Sequence, residues 1–156
     1  MRTFSYSALL SASLLAGAVL GLSGCYKNEP AANTAPIPIV VSSAVTGGQE
    51  RPTPVSSAGS GTFLGNIDKT SRVMSYTVTY SGITPVAGHI HQVINANGTG
   101  PVVFPFPSAG LASPIIGTTA PLAQSRIDSM TRGLFYVNLH TTAFPGGEIR
   151  GDFKQQ

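Results

Sequence analysis

Three histidines are the residues best suited to chemistry: His89 and His91, separated by one residue, and His140 far downstream. On a β-strand, alternate side chains share a face, so a His-X-His pair presents two imidazoles side by side. Neutral imidazole is a ligand for zinc and for copper, and a third histidine from a neighbouring strand would give a three-nitrogen site. The candidate metal residues are therefore His89, His91 and His140, with copper or zinc as the ion; no other cofactor is implied. A second reading uses the same groups. Asn138, Glu148 and Arg150 lie close to His140 in sequence, and all of them with the histidines can form a structural hydrogen-bond network that joins strands. The network is the more ordinary outcome, since buried polar sets often specify structure without performing chemistry. Nothing supports catalysis: there is no Gly-X-Ser-X-Gly elbow, and three histidines alone do not define an acid, base and nucleophile.

The elements that must position these groups are strands. Residues 134–151 read as a β-hairpin in which Phe135, Val137, Leu139, Ile149 and Phe153 fall on one parity. Tyr136, Asn138, His140, Glu148, Arg150 and Asp152 fall on the other. Both apolar sets face one core only if the connection has an odd number of residues, which 143–147 satisfies, and this register places His140 opposite Arg150. Pro145-Gly146 suits the centre of a type II turn. Upstream, strands are expected at 37–45, 58–67, 73–80, 88–94 and 102–106, with Met74, Tyr76, Val78 and Tyr80 on one face of the third. Pro105, Pro107 and Pro114 keep the following segment loop-like or at a sheet edge. One helix is expected, at 121–132, with Ala123, Ile127 and Met130 inward, Thr118 or Thr119 as cap and Gly133 as terminator. The fold class is all-β: an antiparallel immunoglobulin-like or Greek-key sandwich or barrel of about seven strands with one short helix.

Charge and cysteine content narrow the setting. The 156 residues carry a net charge of +3, but none of Asp, Glu, Lys or Arg occurs at 73–125, so the basic residues are scattered. Nucleic-acid binding needs clustered Lys and Arg and is not expected. Arg2 precedes an apolar run at 8–22 that has the length of a signal-peptide core and ends in Leu22-Ser23-Gly24-Cys25, with Cys25 the single cysteine. That ending resembles the lipobox of bacterial lipoproteins, which implies lipidation of Cys25 and cleavage before it. The expected organisation is a lipoprotein signal peptide at 1–24, a lipidated cysteine and flexible tether at 25–38, and one folded domain at 39–156. The protein is then exported and held on the cell envelope by palmitate-type acyl chains, on the outer membrane if the envelope is Gram-negative. Besides the membrane, the expected partner is an extracytoplasmic protein or glycan, met by loops carrying Gln49, Glu50 and Asn97.

Five blocks occur in order: Gly47-Gly48-Gln49-Glu50-Arg51-Pro52; Gly88-His89-Ile90-His91; Asn97-Gly98-Thr99-Gly100-Pro101; Gly133-Leu134-Phe135-Tyr136-Val137-Asn138-Leu139-His140-Thr141; and Pro145-Gly146-Gly147-Glu148-Ile149-Arg150-Gly151. Together they resemble the chordin-type CHRD domain, from about residue 39 to the carboxyl terminus. The resemblance implies an immunoglobulin-like β-barrel or sandwich, and it brings no enzymatic reaction with it. Arg51 stands where the family more often has an apolar residue, and Gln92 where glycine is commoner.

Overall fold

Alternation of small apolar and polar residues builds most of this molecule. The computed structural model describes residues 36–107 and 111–156. The proposed signal segment, Cys25 and most of the tether lie outside the described residues. Within the compact unit Thr34–Gln156, the strands are β1 (Ile39–Thr46), β2 (Ser60–Ile67), β3 (Met74–Ser81), β4 (Ala87–Gln92), β5 (Val102–Pro105), β6 (Ile115–Thr118), β7 (Phe135–His140), β8 (Ile149–Asp152) and β9 (Lys154–Gln155). One helix, α1 (Gln124–Thr131), precedes β7, and a 3-10 turn, Gly47–Gln49, follows β1. None of the described helices is long and apolar enough to cross a membrane.

The strands form one antiparallel sheet in the order β5-β4-β7-β8-β1-β2-β3-β6, with β9 added beside β1. The sheet curls into a half-barrel. The fold is all-β, as expected; the difference is that nine strands occur among the described residues and share one curled sheet. The two added strands are short: β6 is an edge strand just after Pro114, and β9 has only two residues.

The concave side is the core. Val41 and Val45 of β1, Phe63 and Ile67 of β2, and Met74, Tyr76 and Val78 of β3 are buried, as are Phe135, Val137 and Leu139 of β7. Phe153 stacks on Phe63 with ring centroids 4.3 Å apart, and Tyr76 meets Phe106 at 5.4 Å. Aromatic rings therefore span the hollow between distant strands, a role that small aliphatic residues would leave to voids. Ile127 and Met130 of α1 enter the same core.

The helix starts differently from the expectation. Ala123 is its N-cap and makes no side-chain cap bond. Thr119 is withdrawn from capping because its Oγ1 accepts the Met74 amide at 3.1 Å, tying the end of β6 to β3. The end is as expected. Gly133 has φ 77°, its amide donates to Met130 O, and the Leu134 amide donates to Ser129 O, a Schellman closure that glycine accommodates without strain.

The β7–β8 hairpin keeps the expected parity but not the expected register. Asn138, not His140, pairs with Arg150, and the ladder closes at Leu139–Ile149. A shift of two residues leaves every side chain on its face, which is why the core pattern survives. The cause lies in the connection, which folds on itself: Thr141 and Phe144 exchange backbone hydrogen bonds, and Thr141 Oγ1 donates to the Glu148 carboxylate. Nor is the turn type II, since Gly147, not Gly146, takes a positive φ, at 127°.

Candidate metal centre

Pairing of β4 with β7 brings the histidines together. The register opposes Ala87 to His140, His89 to Asn138 and His91 to Tyr136, so both histidines of β4 share a face with His140. Ile90, between them, points the other way into the core and is fully buried. One nitrogen from each of His89, His91 and His140 lies within 4.8 Å of the others.

Each ring is oriented by a hydrogen bond. His91 Nδ1 lies 3.0 Å from Gly100 O, and His140 Nδ1 lies 3.0 Å from Pro145 O. A carbonyl only accepts, so both Nδ1 atoms carry the proton and both Nε2 atoms keep a lone pair. His91 Nε2 is buried and has no hydrogen-bond partner. His140 Nε2 lies 3.1 Å from His89 Nδ1, and with His140 in that tautomer His89 is the donor. A ring N–H bonded to a backbone carbonyl, with the other nitrogen free, is the usual posture of a metal-ligating histidine.

The rings are held neutral. Burial pushes His89 down to about 4, helped by repulsion from His140 and His91. Burial also lowers His91 and His140, against the opposing effect of their carbonyl bonds. At neutral pH the cluster is therefore a set of uncharged nitrogen donors.

The polar residues around it divide into separate groups. Asn138 Nδ2 donates to Glu50 Oε1 at 2.6 Å, and Asn138 Oδ1 is buried without a partner. Arg150 donates to Asp152 from Nε at 2.8 Å and to Gly98 O from Nη2 at 2.8 Å. Its guanidinium lies 3.6 Å from the centre of the Tyr136 ring. His91 stacks on the same ring at 4.7 Å, nearly parallel, so Tyr136 links the cation from β8 to the imidazole from β4. Glu148 stands apart from the histidines: its carboxylate accepts from Ser57 Oγ at 2.7 Å and from Thr141 Oγ1. Asn138, Glu148 and Arg150 thus bond to different loops.

Of the loop residues considered for partner contact, Gln49 and Glu50 are tied to the strands, whereas Asn97 is exposed. Gln49 Nε2 donates to Ala44 O at 2.6 Å, and its Oε1 accepts the Asp152 amide at 3.3 Å. Glu50 is only 4 % exposed, and burial raises its carboxyl to about 7 despite the Asn138 bond and the Arg150 charge. Asn97 Oδ1 accepts from the amide and the hydroxyl of Thr99, which shapes the 95–100 loop. Three loops consequently roof the polar face: 47–52 through Glu50, 95–101 through the Gly98 and Gly100 carbonyls, and 141–147 through the Pro145 carbonyl. Gly147 must be glycine for this roof to close, because a Cβ there would meet Asn138 Oδ1 at 2.5 Å and Glu50 Oε2 at 2.9 Å.

Sequence reasoning missed Tyr136 as the ring between His91 and Arg150, and Glu50 as the partner of Asn138. Parity put Tyr136 on the polar face, which was the available signal. Nothing local marked Glu50 as buried.

Fold and site together define an antiparallel β half-barrel whose convex polar face gathers three neutral histidines under loops. A family model described as CHRD domain matches residues 41–153, and the chain belongs to that family. No curated protein and no solved structure matches the chain.

Proposed function

We propose that this CHRD-domain protein is an exported, lipid-anchored metal binder of the cell envelope, in which His89, His91 and His140 hold one zinc or copper ion. The observation that carries the metal reading is the convergence of three nitrogens within 4.8 Å. Metal–nitrogen bonds of roughly 2.0–2.1 Å set ligand nitrogens about 3.3 Å apart in a tetrahedral site. The His89–His140 pair is already at 3.1 Å, and the His91 nitrogen lies within 4.8 Å of both. His91 and His140 would hold the ion through the Nε2 atoms that their carbonyl bonds leave free, and His89 would do so through Nδ1 once its proton is on Nε2. The role is binding, without a reaction.

Anchoring rests on the sequence Leu22-Ser23-Gly24-Cys25 after an apolar run. Acyl chains contribute roughly 0.8 kcal/mol per buried methylene, so two or three hold a protein firmly on a bilayer. Loss of palmitate label in Cys25→Ser supports this anchor, and retained label contradicts it.

The His89–His140 hydrogen bond also favours a purely structural network. Metal analysis of protein purified without a histidine tag separates the two. The metal reading expects near one zinc or copper per chain and a thermal upshift on adding the ion; neither effect would leave the network alone.

A further inference from the structure

Resting on this metal reading, we propose that a pocket of about 320 Å³ beside the histidines receives a small anion as an added ligand of the bound ion. His91 and His140 form part of the pocket wall, together with Tyr136, Arg150, Arg51 and Gly146, so an occupant meets two of the three ligand rings. The cluster offers three protein ligands and no fourth histidine, cysteine or carboxylate among the described residues. A site with three protein ligands keeps a position for an outside group.

Charge selects the kind of group. Three neutral imidazoles leave the ion's two positive charges uncompensated, in a half-buried place where water screens poorly. The wall adds cations. Arg150 is buried, and its Nη1 makes no hydrogen bond among the described residues, because Asp152 and Gly98 take Nε and Nη2. Arg51 is exposed at the mouth and donates only to the Glu50 carbonyl. The single carboxylate on the wall is Glu50, whose Oε1 is occupied by Asn138. Asp152, 2.7 Å from Arg150 Nη2, offsets part of its charge. The balance favours a small monoanion such as a carboxylate or an inorganic anion.

The 141–147 loop contributes Gly146 to the pocket wall. A Cβ built on Gly146 meets nothing within 4 Å, so a larger side chain can be placed on the wall there without a clash at its Cβ.

The test uses full-length protein loaded with copper(II) and titrated with azide, read by the azide-to-copper charge-transfer absorption and by electron paramagnetic resonance. A saturable new band is expected in the wild type. Arg51→Gln weakens azide binding about fivefold, the size of one exposed charge. Gly146→Leu abolishes the azide band, and both variants keep one copper per chain. Copper binding without an azide response overturns the anion proposal and leaves the metal reading intact. An azide response that appears only in Glu50→Gln overturns it too, by showing that Glu50 fills the position. Equal azide affinity in all variants places the open position away from this pocket and also overturns it. Failure to bind copper defeats the metal reading itself.

Discussion

Strand β7 is buried on both faces, by opposite chemistries. Phe135, Val137 and Leu139 enter a hydrocarbon core, whereas Tyr136 and Asn138 sit under polar loops at 5 % and 2 % exposure, with His140 at the rim. The apolar face is held by area and packing, which are non-directional, so many sequences of the right volume would serve. The polar face is held by individual bonds with fixed partners: Asn138 to Glu50, His91 to Gly100 O, His140 to Pro145 O. Each such bond contributes little net stability, but leaving one partner buried and unpaired is costly. One face therefore supplies stability, while the other positions groups.

That contrast can be broken in graded steps. Phe153→Ala empties the stacked centre of the core and should cost about 3–5 kcal/mol in urea unfolding. Copper or zinc stoichiometry of the folded fraction should stay the same. Asn138→Ala removes the donor to Glu50 and should cost about 1–3 kcal/mol, with a loosened 47–52 loop visible as faster amide exchange.

The pH response of metal-free protein gives a smaller effect and a sign for each side chain. His89 is lowered from 6.5 to about 4, so its contribution is present above pH 6.5 and is lost as pH falls through 4. Glu50 is raised from 4.5 to about 7, so its contribution is present below pH 4.5 and is lost as pH rises through 7. His91 and His140 act in the same sense as His89. Stability should therefore fall as pH drops from 6.5 to 4, with Glu50 partly offsetting the loss. Glu50→Gln should steepen that fall, and His89→Asn should flatten it; denaturation midpoints across this range check both. Smallest of all, Leu64→Thr on the exposed face of β2 should change stability by less than about 0.5 kcal/mol, since Leu64 is 44 % exposed.

Most of the apolar face was legible in the sequence because period-2 alternation is a local signal. Met74, Tyr76 and Val78, and the odd-numbered set in 135–153, fall where alternation puts them. The polar face was legible in parity but not in partners. His140 does lie on the face of His89 and His91, yet only the β4–β7 pairing, between segments far apart in sequence, decides that they meet. The two-residue register difference arose because the 141–147 connection folds on itself through Thr141, Phe144 and Glu148, bonds that alternation does not encode. Glu50 looked like an exposed loop acid because its burial depends on the 3-10 turn at Gly47–Gln49 carrying the chain over β7. Thr119 looked like a cap because its competing partner, the Met74 amide, belongs to a distant strand.

The most direct measurement of the central claim is calorimetric titration of metal-free, tag-free protein with zinc and with copper(II), repeated on His91→Ala. One site per chain is expected in the wild type and loss of that site in the folded variant, because His91 supplies the buried Nε2 that otherwise has no partner. No stoichiometric binding in the wild type, or unchanged binding in His91→Ala, would contradict it.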